Sequence, residues 1–272
     1  MQRHNLFIIT GAGRGFGRAI AEAVKDSEIS KQPTTIVLVG RDSASLDQAA
    51  GTLTGSTVKS KSIANADFSD LSTVQQVILP GIKKIVEDVQ ANGTPITNVY
   101  LINNAGSTGD LSKKAADYEA DDVQSYYNVN VVSFISLVSA IVNLFRKPQS
   151  SDETPFPPDL SVVNISSLLA VKAFPNWGLY ASGKAARDMF LQVLAAEHKD
   201  GSVKTLSYAP GPLDNDMQLQ CRETLGDAEQ KQIYTTMAEQ GKLVKMEESA
   251  KKLLVLLSDN KYDSGAHIDF YD

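Results

Sequence analysis

Residues 5–10 of this chain, Asn-Leu-Phe-Ile-Ile-Thr, run directly into Gly11-Ala-Gly-Arg-Gly-Phe-Gly17 and then into Arg18-Ala-Ile-Ala-Glu-Ala-Val-Lys25. A short apolar run ending at glycines reads as a buried strand, and the alanine-rich segment beyond has helical spacing. This succession constrains the fold strongly. A glycine turn between a strand and a helix leaves free backbone amides at the positive end of the helix dipole, and the missing side chains let an anion approach closely. Gly11, Ala12, Gly13, Arg14, Gly15, Phe16 and Gly17 are therefore the candidate cradle for a pyrophosphate.

The rest of the chain repeats the alternation. Apolar runs predict strands near residues 6–10, 35–39, 58–64, 99–103, 161–165, 203–207 and 267–270. Helical patterns cover residues 15–25, 43–53, 71–91, 121–146, 180–198 and 247–258, with a further helix within 222–240. Strands alternating with helices form a parallel sheet covered on both faces. The expected fold is α/β: one domain over residues 1–272, a Rossmann-type doubly wound parallel sheet of about seven strands. Residues 147–159, carrying Pro148, Pro155, Pro157 and Pro158 among polar residues, read as an exposed loop.

In such a fold the end of the second strand selects the dinucleotide. A carboxylate there holds the ribose 2′-hydroxyl of NAD, and an arginine accommodates the 2′-phosphate of NADP. Here the run is Gly40-Arg41-Asp42. Arg41 favours NADPH and Arg14 can add a second cation, while Asp42 leaves the ribose alternative open.

Tyr180 and Lys184 stand one helical turn apart in Tyr-Ala-Ser-Gly-Lys, and Ser167 ends an apolar run upstream. Side chains at i and i+4 share a helix face. An ammonium beside a phenol favours the phenolate and lowers a pKa that is ordinarily about 10. Tyr180 is thus the candidate acid, Lys184 its tuner and Ser167 the donor that holds a carbonyl oxygen.

Composition excludes several classes. Net charge is −6, so no basic field draws nucleic acid or an anionic membrane. Cys221 is the single cysteine and the three histidines lack ligand spacing, which leaves no disulfide and no metal site. Residues 123–145 carry no charge, yet Gln124, Asn128, Asn130, Ser133, Ser136, Ser139 and Asn143 recur through them, as in a helix buried by sheet and partner subunit. A soluble cytoplasmic homodimer is expected, packed through this helix and the one after Tyr180.

In order along the chain, Thr10-Gly11-x-x-x-Gly15-x-Gly17, Asn103-Asn104-Ala105-Gly106, Ser167, Tyr180-x-x-x-Lys184 and Pro210-Gly211 resemble the short-chain dehydrogenases/reductases. The runs Asn164-Ile-Ser-Ser167, Gly183-Lys-Ala-Ala-Arg-Asp-Met189, Tyr208-Ala-Pro-Gly-Pro-Leu-Asp214 and Ser264-Gly-Ala-His-Ile-Asp-Phe-Tyr-Asp272 resemble, within them, the sepiapterin reductase family.

The resemblance implies further roles. Ala66 and Asp67 would border the adenine, with Asn104 on the same side bracing the sheet. Asn130 would hold a water next to Lys184, which would also bind the nicotinamide ribose. The Leu213 backbone would fix the carboxamide. Asn215 stands where many relatives have threonine, and it and Met217 would border the cofactor. For a pterin, Asp269 would accept the amino group and ring N–H together, with Leu168, Trp177, Gly211 and Met217 around Ser167 and Tyr180. The implied activity is NADPH-dependent reduction of the side-chain ketone of a 6-acyl pterin, sepiapterin or 6-pyruvoyl-tetrahydropterin, in tetrahydrobiopterin-type biosynthesis. A general carbonyl or diketone reductase and a non-catalytic NADP-binding sensor or scaffold are the alternatives.

Overall fold

The computed structural model describes residues 3–53, 55, 57–91, 93–146 and 158–272, so most of the expected loop at 147–159 lies outside the described residues. Its strands are β1 His4–Thr10, β2 Thr34–Val39, β3 Val58–Ile63, β4 Ile96–Asn103, β5 Asp159–Ile165, β6 Val203–Ala209 and β7 Ala266–Asp269. All pair in parallel, in the order β3-β2-β1-β4-β5-β6-β7. The order reverses between β1 and β4. A crevice opens there, at the carboxyl ends of the strands, as in other doubly wound sheets.

The helices are α1 Gly15–Lys25, α2 Ser43–Gly51, α3 Leu79–Gln90, α4 Ala120–Tyr127, α5 Ser133–Arg146, α6 Gly178–Glu197, α7 Asp216–Thr224, α8 Ala228–Glu239 and α9 Met246–Asp259. Strand alternation sends side chains to two faces. Phe7, Ile9, Leu206 and Tyr208 meet α1 and α9 on one face through Ile20, Leu253 and Leu257. Leu6, Ile8, Val99 and Leu101 meet α3, α5 and α6 on the other through Ile82, Phe134, Val138 and Leu191. Each fully buried aliphatic side chain of this kind contributes about 1.5–3 kcal/mol. β1 is buried throughout, which its continuous apolar run anticipates.

Three helical expectations are corrected. The helix expected over 71–91 opens with a wide turn, Val74–Ile78, before α3. The one expected over 121–146 is broken by a second wide turn, Asn128–Val132, between α4 and α5. The stretch Ala120–Arg146 is long and apolar enough to cross a membrane by length and composition, but Phe134, Leu137, Val138, Ile141 and Phe145 pack on the sheet. The expected helix within 222–240 is two helices, α7 and α8, parted at Gly226. A Cβ on Gly226 would stand 2.6 Å from the carbonyl oxygen of Ser112, so the backbone approaches too closely there for a side chain.

Candidate active site

The glycine turn lies at the end of β1, where Gly11 and Gly15 adopt φ +66 and +55. L-residues rarely adopt such angles, whereas glycine does so freely. A Cβ on Gly17 would stand 2.4 Å from the Gly11 carbonyl oxygen, so the start of α1 packs against the turn too tightly for any side chain. A Cβ on Gly15 would meet nothing within 4 Å. It would occupy the open space in front of the α1 amides, which is the cradle a pyrophosphate needs. Ala12 and Phe16 are buried beneath this loop.

Asn104, just beyond β4, braces the turn by donating through Nδ2 to the carbonyls of Thr10 at 2.9 Å and Gly11 at 3.3 Å. Thr10 Oγ1 reciprocates by accepting the amides of Asn104 and Ala105, both at 3.0 Å.

The residues expected at the adenosine end all follow strand termini. Arg41 and Asp42 follow β2, and Ala66 and Asp67 follow β3. Asp42 caps α2, accepting the Ser45 amide at 2.7 Å, so part of its capacity for a ribose hydroxyl is engaged. Arg14 pairs with Asp216 at 3.1 Å, with 79% and 83% of the two side chains exposed. Such a surface pair is weak and yields to a stronger anion. Hydrogen bonds from Ser69 hold the Asp67 carboxyl below its usual range, with help from nearby Arg41. Each arginine thus has an acid for a neighbour.

At the other end of the crevice, Tyr180 and Lys184 lie on α6, both buried. Ser167 caps a short 3-10 turn, Leu168–Ala170, its Oγ accepting the Leu169 amide at 3.2 Å. It also hydrogen-bonds the Tyr180 phenol. Lys184 Nζ donates to the Ile165 carbonyl at 2.5 Å and lies 5.4 Å from the Tyr180 ring centre.

The expected acidification of Tyr180 by Lys184 is not what this geometry produces. Burial, with Cys221 nearby, pushes the phenol well above the usual tyrosine range, although Ser167 and Arg187 pull it down. Burial, and then the Arg187 charge, push Lys184 far below the usual lysine range. Desolvation is the largest influence on both groups and opposes the ionisation of each.

Arg187, whose charge acts on both Tyr180 and Lys184, belongs to this site and was missed by the motif spacing. It is 1% exposed and donates to the carbonyls of Asn103 at 2.8 Å and Ala105 at 3.3 Å, with its guanidinium over the Phe134 ring. Burial lowers its pKa to about 10, which still leaves it a cation at neutral pH. A tyrosine-to-lysine motif does not extend to a residue one further turn along the helix.

Asn130, expected to hold a water, sits inside the wide turn with its side-chain amide engaged. Its Oδ1 accepts the Ser107 amide at 2.8 Å, and its Nδ2 donates to Tyr126 O at 2.9 Å and Ser107 Oγ at 3.2 Å. This side chain ties the β4 loop to the helix pair, which is a bracing role.

Trp177 packs edge-on against Tyr180 and Tyr234, and with Leu111, Leu169, Cys221 and Leu225 forms a separate apolar cluster. Leu111, Cys221, Leu225 and Tyr234 went unrecognised in the sequence because they come from distant segments. Leu168 and Met217 are exposed and are not among the side chains packed on this cluster. Gly211 has φ +78, and a Cβ there would meet Val244 Cγ2 at 3.0 Å. Leu213 forms a bridge with Val244 made by the Pro212 carbonyl and the Asp214 amide, so the bridge does not use Leu213's own amide. Asn215 caps α7 by accepting the Gln218 amide at 3.0 Å, a cost to its expected role at the cofactor. Asp269 ends β7, half-buried, with Oδ1 accepting the Tyr271 amide at 3.1 Å.

A parallel sheet with a glycine-lined anion cradle on one side of its switch point and a half-buried serine beside a buried tyrosine and lysine on the other defines a nicotinamide-dependent oxidoreductase. The short-chain dehydrogenase family model matches residues 5–226, and the chain belongs to that family. It is 39% identical to a sepiapterin reductase of Bos taurus over 270 residues, 98% of this chain and 94% of the relative. It is 26% identical to a benzil reductase of Bacillus cereus over 262 residues, 95% and 96% of the two chains. The crystal structure of the KRED1-Pglu enzyme superposes with TM-score 0.76 at 24% identity, covering 97% of this chain and all of that one, and so shares its fold.

Proposed function

We propose that the chain uses NADPH to reduce the side-chain ketone of a 6-acyl pterin, sepiapterin or 6-pyruvoyl-tetrahydropterin. The observation that carries this reading is Asp269. It is a half-buried carboxylate at the carboxyl end of β7, two residues beyond His267, whose side chain meets α6. Residues two apart share a sheet face, so Asp269 belongs to the face that α6 covers. One bond from Tyr271 leaves it capacity to accept the paired donors of a pterin ring. Identity of 39% to a sepiapterin reductase over 98% of this chain supports the same reading.

The chain's own residues account for the proton. A nicotinamide bound in the crevice supplies the hydride. Ser167, whose Oγ already accepts an amide, donates its hydroxyl to the carbonyl oxygen and holds it beside Tyr180. The buried phenol is fully protonated at neutral pH and gives its proton to the alkoxide as it forms. An alkoxide is a far stronger base than a phenolate, so the transfer is downhill even from a phenol made less acidic by burial. Arg187, a cation near the phenol, stabilises the phenolate left behind, Lys184 lies 5.4 Å from the ring centre, and the Trp177 cluster excludes water.

The preference for NADPH rests on Arg14 and Arg41, both of which a 2′-phosphate would draw from their acidic neighbours. A cytoplasmic homodimer through the outer surfaces of α5 and α6 is part of the proposal; Met189 and Val193, exposed on α6, suit such a contact. The reading is tested by mixing the protein with NADPH or NADH and sepiapterin and following loss of nicotinamide absorbance. Turnover with NADPH well above that with NADH is expected, and absence of turnover with sepiapterin defeats the pterin assignment. Similarity to a benzil reductase favours a second reading, a general diketone reductase. Higher kcat/KM on a simple diketone than on sepiapterin selects it.

A further inference from the structure

Beneath α6 lies a polar row that the mechanism does not use. Asn103 of β4, Asn164 of β5, Ser207 of β6 and His267 of β7 are consecutive register partners across four strands. The first three are almost fully buried. Asp188, next to Arg187 on α6 and 4% exposed, sits over this row. Its Oδ1 accepts from Asn164 Nδ2 at 2.7 Å. Its Oδ2 accepts from Ser166 Oγ at 2.8 Å and lies 2.7 Å from His267 Nδ1. Ser207 also hydrogen-bonds the carboxylate. One buried acid on the catalytic helix therefore reaches three neighbouring strands.

The last of those strands needs such a tie. β7 is four residues long, lies at the edge of the sheet, and none of its residues is fully buried. Short edge strands with weak burial specify their register poorly, and a slip of one residue sends every side chain to the opposite face. Ile268 packs on the α1 and α9 face, whereas His267 and Asp269 take the α6 face. His267 Nε2 is buried with no partner among the described residues, so the side-chain link seen there runs through Nδ1.

We infer that Asp188 and His267 are positioning residues: their contact clasps β7 to the catalytic helix, fixes its register, and so holds Asp269 on the substrate side of the sheet. The inference rests on the pterin reading for its effect on substrate, but the clasp itself is a property of the chain. Removing it loosens the tail and weakens binding of a substrate that uses Asp269, while a small diketone, which does not reach the tail, is reduced as before.

The test uses the full-length protein and three variants. His267→Leu removes the contact, Asp188→Asn weakens it, and His267→Asn restores it, because the asparagine Nδ2 stands close to the position of the histidine Nδ1. In His267→Leu, hydrogen–deuterium exchange of residues 266–272 is expected to rise at least about tenfold with α6 still protected. KM for sepiapterin is expected to rise about tenfold, with kcat and the diketone KM within about twofold of wild type, and His267→Asn is expected to recover both. Unchanged exchange of residues 266–272 in His267→Leu overturns the clasp, whichever substrate the enzyme takes. An equal rise in KM for both substrates overturns the positioning of Asp269. A wild-type protein inactive on sepiapterin defeats the pterin reading alone, since exchange still decides the clasp. If Asp188→Asn does not fold, the two His267 variants carry the test.

Discussion

The two walls of the crevice are built by different means. The cofactor wall is made of backbone: Gly11, Gly15 and Gly17, the free amides of α1 and the carbonyls that Asn104 gathers, all within one short segment and its neighbour strand. The proposed substrate wall is made of side chains drawn from far apart, with Leu111, Leu169, Trp177, Cys221, Leu225 and Tyr234 in one cluster and Asp269 at the end of the last strand. A backbone site tolerates almost no change at its glycines and needs little from the rest of the chain. A side-chain site depends on how many separate elements are held in place.

The largest effect expected from breaking this division is chemical. Tyr180→Phe keeps the packing against Trp177 but removes the proton donor, so kcat should fall by about 10²–10⁴-fold while the NADPH dissociation constant stays unchanged. Fluorescence titration with steady-state kinetics checks the pair, and retained turnover would remove Tyr180 from the mechanism.

Next comes the backbone wall. Gly17→Ala places a methyl group 2.4 Å from the Gly11 carbonyl oxygen, which cannot move without opening the turn. A loss of about 1–3 kcal/mol in stability is expected, together with weaker NADPH binding. A variant with normal melting temperature and normal cofactor affinity would show the approach to be looser than described.

Arg187→Met tests the seam between the walls, since this guanidinium holds the carbonyls of Asn103, at the end of β4, and Ala105, and adds positive charge near Tyr180. Two carbonyls lose a donor, but an expensive buried charge is also removed, so the net loss of stability should be only about 1 kcal/mol. Arg187→Lys should lose less in urea unfolding.

The smallest effect is on pH dependence. The Asp188 bond raises the His267 pKa above its ordinary value of about 6.5. A group whose folded-state pKa is raised contributes its stability fully below the unfolded value and loses it as pH rises through the folded one. The wild-type advantage over His267→Asn in unfolding free energy should therefore be greatest below about pH 6.5 and decline toward alkaline pH. A constant difference across the range would mean that the imidazole does not charge in the clasp.

Legibility followed the same division. The inner strands were readable because buried parallel strands carry apolar runs, and the observed ends of all seven differ from expectation by at most a few residues, as at β7, Ala266–Asp269. The wide turn at Asn128–Val132 was not readable, since its residues keep the apolar spacing of a helix while the backbone hydrogen bonds shift. Nor was Arg187, which looks in the sequence like one more charge on a solvated helix face.

Local chemistry was enough to specify the alternation of strands and helices, the anion cradle and the spacing of Ser167, Tyr180 and Lys184, because period, glycine freedom and helical turn act over a few residues. Tertiary structure alone decided that Tyr180 and Lys184 are desolvated, that Asp188 spans three strands, and which side chains gather around Trp177. Burial and long-range hydrogen bonds depend on what the rest of the chain brings to a position, and no window of sequence contains that.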